Sequence, residues 1–418
     1  MRLRLPLIVS LLWLTACQEA PQEQAEAVFT YAEASLVRSL DPMRAETRGE
    51  RWLAAQLFNT AFEVGEDLNL YPALVERYGW ASDGRACTLT VREQVPFHAP
   101  LTRYVRASDV VFSWRRALAA RSDLPLGRWL EASSITALDH RRLLLQLDAP
   151  FADLLWLLSD VRLSVVLPEA VSEKGSRFGV APIGTGPFYL VHWYKDHSAR
   201  LSKHPAYFRQ NFRGYPLPYL DGVYVSFLDD PSEIQARFAD NQLDLCWDVL
   251  PDSSLATYAF THDLLAGYFL WLPTDSPRVF VPRQHLAQKT GKPVLLRAYP
   301  GFLPQNQQQT PLRTAYDAAV YAPDSLRLYA TAQAASIADT ICRYASWIRA
   351  QDSSTADAQV RYRQIPFPRQ VFWDNADTTG RWIPLLLERK KGLVHPRVRG
   401  LHLDATETLR LEQVELTH

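Results

Sequence analysis

The sequence is poor in cysteine and has no excess of one charge, and each shortage excludes a class of protein. Its 4 cysteines are too far apart for a Cys-x-x-Cys zinc site. Its 45 lysines and arginines equal its 45 aspartates and glutamates, so no global field favours nucleic acid. The chain also lacks Gly-x-Ser-x-Gly, His-Glu-x-x-His and phosphate-loop motifs. We therefore expect no nucleic-acid partner, no metal or cofactor, and no enzymatic activity.

The N-terminal apolar run is too short to cross a membrane. It covers residues 5–14, whereas a spanning helix needs roughly 20 apolar residues. Arg2 and Arg4 precede it, which is typical of a secretory signal. The run ends in Leu14-Thr15-Ala16-Cys17, which resembles a bacterial lipobox. The resemblance implies a lipoprotein signal peptide over residues 1–17 and a lipid on Cys17; the alternative is an ordinary signal peptide with an incidental cysteine.

The segment that follows the signal is polar and has no apolar periodicity. Residues 18–27 therefore predict a flexible tether between lipid and fold. We expect the protein in the periplasm, held by Cys17 to a bacterial membrane, with the choice of inner or outer membrane left open. Cys87, Cys246 and Cys342 are widely separated. An exported chain could pair two of them, but we expect at least two to be buried free thiols.

The length and composition predict a soluble protein of more than one lobe. A chain of 418 residues can bury a large core, and 47% hydrophobic and 22% charged residues are ordinary for a globular protein. The 12 tryptophans and 18 tyrosines are many. They fit either a well-filled core or a cleft partly lined by aromatic side chains.

Strand and helix patterns alternate along the chain, which indicates a mixed α/β protein. Asp83-Gly84 predicts a hairpin turn, and residues 107–109 open an amphipathic helix that Ser108 can cap. Three nearby histidines, His192, His197 and His204, are expected at the surface. Further strands are predicted over residues 28–32, 143–147, 188–194, 200–203, 223–227, 243–247 and 383–387, with helices from residues 52, 231 and 337.

A glycine turn, Gly184-Thr185-Gly186-Pro187-Phe188, is the most distinctive local motif. With its neighbours it resembles the oligopeptide-, dipeptide- and nickel-binding proteins of ABC importers. The other matching pieces, in chain order, are Leu40-Asp41-Pro42, Leu70-Tyr71-Pro72-Ala73-Leu74, Leu89-Thr90-Val91-Arg92 with Val95-Pro96-Phe97-His98, Ala107-Ser108-Asp109-Val110-Val111, His204-Pro205-Ala206-Tyr207-Phe208, Pro218-Tyr219-Leu220-Asp221-Gly222, Gln242-Leu243-Asp244 and Pro396-Arg397-Val398-Arg399-Gly400.

The resemblance implies an α/β, two-lobe periplasmic-binding-protein-like fold of type II, the peptide-binding class. Residues 28–255 plus 380–418 would form the N-terminal lobe, with a small subdomain at about 45–170. Residues 256–379 would form a reduced second lobe, because this region is shorter than in the family. The lobes would close on a ligand by a hinge motion.

The function implied is that of a lipid-anchored, monomeric solute-binding protein. It would bind a peptide or another small polar solute between the lobes and deliver it to ABC permease subunits. The shortened second lobe lacks a counterpart for the segment that supplies a carboxylate to the peptide amine in the family. The alternative is therefore a non-transport lipoprotein that uses the fold as a structural or partner-binding module.

Six residues are candidates for ligand contact. Ser35 and Leu36 follow the first strand, where family members touch the ligand with backbone groups. Phe97 and His98 end a hairpin strand, and core packing is the alternative for both. Trp247 ends the strand before the expected crossover, and Trp373 lies in the second lobe, where a surface loop is the alternative.

Overall fold

A computed structural model describes most of the chain. The described residues are 26–65, 69–100, 103–151, 154–250, 252–273, 327–330, 348–349, 358–364, 380–404 and 407–417. The signal peptide, Cys17, Cys342, Trp373 and most of the predicted helix from residue 337 lie outside them. Within the described residues, no helix is both long and apolar enough to cross a membrane.

The described part alternates strands and short helices. The helices are α1 (Arg48–Leu57), α2 (Ala107–Ala120), α3 (Leu154–Leu157), α4 (Pro168–Lys174) and α5 (Pro231–Ala239). The strands are β1 (Val28–Glu33), β2 (Phe62–Val64), β3 (Leu70–Pro72), β4 (Val75–Trp80), β5 (Ala86–Val91), β6 (Ile135–Ala137), β7 (Arg142–Gln146), β8 (Phe188–Tyr194), β9 (Ser198–Lys203), β10 (Gly222–Phe227), β11 (Leu245–Trp247), β12 (Ala259–Pro273), β13 (Arg327–Ala330), β14 (Ile348–Arg349), β15 (Ala358–Gln364), β16 (Gly380–Val394), β17 (Val398–Arg399), β18 (His402–Leu403), β19 (Leu409–Arg410) and β20 (Glu415–Leu416).

One ten-stranded sheet runs through the molecule in the order β14-β13-β15-β12-β16-β11-β1-β10-β9-β8. Its central strand β1 is parallel to both β10 and β11. The long strands β12 and β16 pair antiparallel, and β16 continues the sheet from β11. These two 15-residue strands lie where the crossover between the lobes was predicted.

A second sheet, in the order β4-β5-β7-β6, lies within the predicted small subdomain. The hairpin turn between β4 and β5 is confirmed, and Gly84 adopts the left-handed conformation (φ 68°) that glycine permits. The predicted cap of α2 is wrong by two positions. The N-cap is Arg106, whose backbone N–H donates to the Asp109 carboxylate at 2.8 Å, so Ser108 lies inside the first turn.

The core is continuous between the two sheets. Phe29 and Tyr31 of β1, Trp52 of α1, Leu89 of β5 and Trp114 of α2 are all fully or almost fully buried in one cluster. Burying such large side chains supplies the main driving force for folding, about 1.5–3 kcal/mol per side chain. The four-stranded sheet is thus a distinct sheet whose inner face packs on the first lobe.

Two cysteines lie in this apolar interior. Cys87 and Cys246 are buried and free, which confirms the expectation that at least two thiols stay unpaired. Burial raises the pKa of each thiol to about 12, so neither is a reactive thiolate near neutral pH.

Candidate functional site at the strand edge of the first lobe

The parallel strands β1 and β11 end at Glu33 and Trp247, side by side at one edge of the sheet. The crossing strand β16 lies directly next to this edge, with Gly392 opposite Trp247. In open α/β sheets, ligands bind outside the carboxyl ends of parallel strands. We define the edge cluster as Glu33, Ser35, Arg48, Trp247, Asp248 and Glu407.

A buried ion pair anchors the edge cluster. Glu33 is 1% exposed, and its carboxylate accepts hydrogen bonds from Arg48 Nη2 at 2.8 Å and Arg48 Nε at 3.1 Å. Burial alone lowers the pKa of Arg48, but the charge and hydrogen bonds of Glu33, with the charges of Glu407 and Asp248, raise it above its ordinary value. The guanidinium is therefore a fixed cation, held in a bidentate geometry.

The turn after β1 is held against the first turn of α1. Ser35 Oγ accepts a hydrogen bond from Gly49 N–H at 2.7 Å, and Ser35 N–H donates to Glu33 at 2.7 Å. A Cβ on Gly49 would come within 2.7 Å of Glu33 Cγ, so only glycine allows this approach. No hydrogen bond to another described residue uses the backbone N–H of Ala34 or Leu36. Among the described residues, these two donors therefore have no partner.

The Trp247 indole packs beneath the surface of the edge cluster. It is 3% exposed and packs on Trp52 with ring centroids 6.0 Å apart. Glu407, which has a positive φ of 65°, joins the two indoles, since its carboxylate accepts from Trp247 Nε1 at 2.9 Å and its carbonyl oxygen from Trp52 Nε1 at 2.7 Å. The C-terminal segment therefore fixes both rings in place.

The rim of the edge carries charge and apolar surface together. Lys390 Nζ of β16 lies 2.6 Å from the Asp248 carboxylate, and Arg48 Nη1 lies 4.0 Å from the same group. Leu36 and Leu250 are 48% and 72% exposed. The Lys390–Asp248 pair joins a first-lobe residue to a crossing strand, so a relative movement of the two would stretch it.

The structure brings some of the predicted contact residues together and separates others. Ser35, Leu36 and Trp247 lie at this one edge. Phe97 and His98 lie in the core beside the glycine turn, and their contact with a ligand stays a prediction. Phe97 is 1% exposed and His98 is 2% exposed, so both are core residues, the alternative that the sequence left open.

His98 belongs to the packing around the glycine turn. We define the glycine-turn cluster as His98, Gly184, Gly186 and His204. His98 Nδ1 accepts from Gly184 N–H at 3.3 Å, and His98 Nε2 and His204 Nδ1 lie 3.0 and 3.2 Å from the Gly186 carbonyl oxygen. Burial, with a smaller contribution from the nearby His204, lowers the pKa of His98 to about 3, although the Gly186 hydrogen bond opposes this shift. His204, expected at the surface, is 5% exposed.

The sequence did not point to Glu33, Arg48 or Glu407. A glutamate that ends a buried strand was a possible signal, because a buried carboxylate requires a partner. Arg48 follows Thr47, which caps α1, and this fixes its position on the first turn. Glu407 lies 160 residues from Trp247, and no local pattern joins them.

Comparison with known proteins agrees with this architecture. The sequence model of "Bacterial extracellular solute-binding proteins, family 5 Middle" matches residues 69–269. A "Glutathione-binding protein GsiB" of Salmonella typhi is 26% identical over 188 residues, 44% of this chain and 35% of that protein. A "Di/tripeptide-binding protein 2" of Pseudomonas aeruginosa is 28% identical over 282 residues, 61% of this chain and 51% of that protein.

A solved structure shows the fold over almost the whole length. The "MppA Periplasmic Murein Tripeptide Binding Protein, Unliganded Open Form" has a TM-score of 0.69 and 15% identity, covering 94% of this chain and 98% of that one. The predicted type II fold and the resemblance to solute-binding proteins of peptide importers are confirmed. The alignments span only 35% and 51% of the two curated relatives' lengths.

Proposed function

We propose that this chain, which carries the middle region of the family 5 bacterial extracellular solute-binding proteins, binds a peptide or another small polar solute in a cleft bordered by the edge cluster. One observation carries the proposal. The parallel strands β1 and β11 end beside the crossing strands, and at that edge the backbone N–H groups of Ala34 and Leu36 have no partner among the described residues.

This arrangement suits the main chain of a short peptide. Ligand carbonyl oxygens would accept from the free N–H groups, and ligand side chains would pack on Leu36 and Leu250. The paired charges of Arg48, Asp248 and Lys390 offer partners for the ligand's termini. A glutathione-like or di- or tripeptide ligand is of the right class, since curated relatives carry the names "Glutathione-binding protein GsiB" and "Di/tripeptide-binding protein 2".

The setting of this binding would be the periplasmic face of a bacterial membrane. The lipobox-like Leu14-Thr15-Ala16-Cys17 supports a lipid anchor on Cys17, and the polar residues 18–27 support a tether. The monomeric, anchored protein would present its closed, loaded form to ABC permease subunits. Nothing in the function requires the chain to be an enzyme.

Thermal-shift titration of the purified chain over residues 18–418 tests the proposal. Glutathione, di- and tripeptide pools, single amino acids and divalent metals are the probes. A ligand that binds only the native state stabilises it by about 2.7 kcal/mol at 100 times its Kd, so the melting temperature must rise with peptide concentration. No shift with any peptide would contradict the proposal.

The length of the chain supports a second candidate function. Residues 256–379 are fewer than the corresponding region of the family, and the expected carboxylate for a peptide amine has no counterpart in the sequence. In this alternative the protein is a non-transport lipoprotein that holds a partner. A flat thermal-shift profile, together with a stable complex recovered from the envelope, would favour it.

A further inference from the structure

An exposed loop, residues 210–216, carries the most exposed large hydrophobic side chain that the structure describes. Phe212 is 92% exposed, and Tyr215 is 60% exposed. The Arg213 guanidinium lies 5.2 Å from the centre of the Phe212 ring. A single exposed ring is ordinary, but two exposed rings on one loop, with the arginine beside them, offer a partner an aromatic and cationic surface.

The loop is rigid, so it does not expose Phe212 by fraying. Asn211 Oδ1 accepts from Arg213 N–H at 2.8 Å and from Tyr215 N–H at 3.0 Å. Gly214 N–H donates to the Asn211 carbonyl oxygen at 2.9 Å, and Gly214 adopts φ 82°, which glycine permits. These three hydrogen bonds to Asn211 therefore present Phe212, Arg213 and Tyr215 as a fixed knob.

The knob is close to the point where the tether joins the fold. Asn211 Nδ2 donates to the Tyr219 hydroxyl, and Asp221 follows two residues later. Asp221 N–H donates to the Ala27 carbonyl oxygen at 2.9 Å, and Ala27 N–H donates back to the Asp221 carboxylate at 3.0 Å. Ala27 is the residue immediately before β1. The base of the loop is thus linked to the end of the tether through Tyr219 and Asp221.

The tether is also short. Ten residues separate Cys17 from β1, and ten extended residues span at most roughly 35 Å. A lipid on Cys17 would therefore keep a bilayer permanently within that reach of Ala27. Aromatic side chains are enriched at the membrane–water interface, and arginine extends its charge to the headgroups.

We propose that Phe212, Arg213 and Tyr215 form a membrane-contacting knob that inserts into the phospholipid interface and sets the orientation of the anchored protein. Phe212 would sit below the headgroups, while Arg213 contacts lipid phosphates. This proposal rests on the lipid anchor in the proposed function, but not on ligand binding. It predicts a binding lobe that is held at the bilayer instead of rotating freely on its tether.

The test uses the full, lipidated protein in vesicles of phosphatidylethanolamine and phosphatidylglycerol. A Cys342→Ser background removes the one cysteine that lies outside both the described residues and the lipid signal. Gln210→Cys, in the loop that carries the knob, is labelled with an environment-sensitive dye and quenched by bromine on the lipid acyl chains. Leu138→Cys, in the turn between β6 and β7, is the matched exposed control (49% exposed).

We expect several-fold stronger quenching at position 210 than at position 138, and we expect Phe212→Ser in the Gln210→Cys background to abolish the difference. Equal quenching at both positions would overturn the knob. Unquenched dye, together with a loss of peptide uptake in Phe212→Ser at unchanged thermal shift, would assign the loop to a permease instead. A protein that fails to sediment with vesicles would overturn the anchor and the knob together, while leaving ligand binding intact.

Discussion

The glycine-turn cluster and the edge cluster are both built around buried titratable side chains, yet only the edge cluster meets solvent. His98 and His204 donate to one backbone carbonyl oxygen, that of Gly186, inside the core. Glu33 lies equally deep, whereas Arg48 keeps 13% of its side chain exposed, and their pair continues outward to Asp248 at the rim. The first cluster closes a turn, and the second supports a surface.

The two clusters differ in how they can be recognised: the glycine turn is a motif in the sequence, whereas the proposed binding surface at the edge is not. The glycine turn is distinctive in sequence because backbone packs on backbone there. A Cβ on Gly186 would come within 2.3 Å of the Gln56 carbonyl oxygen. The edge has no motif because strand ends far apart in sequence supply its residues. The four predictions below test this contrast, in order of decreasing effect.

Removing the buried carboxylate of the edge cluster has the largest expected effect. Glu33→Ala leaves the Arg48 guanidinium buried without its main partner, which costs about 3–5 kcal/mol of unfolding free energy. Denaturant unfolding measures it. The matched control is Glu26→Ala, which removes the exposed Glu26–Arg200 pair at 2.8 Å and should cost less than about 1 kcal/mol. Equal losses in the two variants would refute a buried anchor at the edge.

Gly186→Ala should lower the unfolding free energy by about 1–3 kcal/mol or more, because the added methyl group overlaps the backbone of α1. Gly79→Ala is its control, since a Cβ there meets no atom within 4 Å. We further expect Gly186→Ala, once folded, to bind peptide as the parent does. Reduced affinity in the folded variant would mean that the glycine turn does contribute to the site.

The pH dependence of stability should report on His98. Its pKa is about 3 in the folded protein against about 6.5 unfolded, so the unfolded chain binds more protons between these values. Stability is complete above pH 6.5 and falls by up to about 1.4 kcal/mol per pH unit as the pH drops towards 3. His204, whose pKa burial also lowers, adds in the same direction.

Denaturant unfolding between pH 7 and 5 isolates this effect, since carboxylates protonate mainly below that range. His98→Gln should have a shallower slope than the parent protein, because it removes one of the two histidines that resist protonation. A slope unchanged by the substitution would show that His98 is not held neutral by its burial.

Leu36→Ala should have the smallest effect on stability and a selective effect on binding. Leu36 is 48% exposed, so unfolding free energy should change by less than about 0.5 kcal/mol. Loss of its apolar contact should weaken peptide binding roughly tenfold, about 1.4 kcal/mol. Leu138→Ala, at 49% exposure in the turn between β6 and β7, is the matched control and should bind normally. Calorimetric titration with peptide measures the binding affinities of the two variants.

Local structure was predictable wherever backbone chemistry acts over a few residues. The helix predicted from residue 231 begins there, and the side chain of Asp230 caps it by accepting from Ser232 N–H. The cap of α2 was misplaced because Asp109 bonds to the Arg106 backbone, a contact that the serine next to it obscured. At the edge, Ser35, Leu36 and Trp247 came from the family resemblance and strand ends. Glu407 could not be predicted from the sequence, because only tertiary packing brings it between Trp52 and Trp247.

Amide hydrogen exchange with and without a saturating peptide tests the central claim most directly. The claim is that a ligand binds at the strand edge after β1 and leaves the glycine turn untouched. We predict slower exchange at Ala34 and Leu36, whose N–H groups bond to no other described residue, and no change at Gly184 or Gly186. Protection at the glycine turn with none at residues 34–36 would contradict the account.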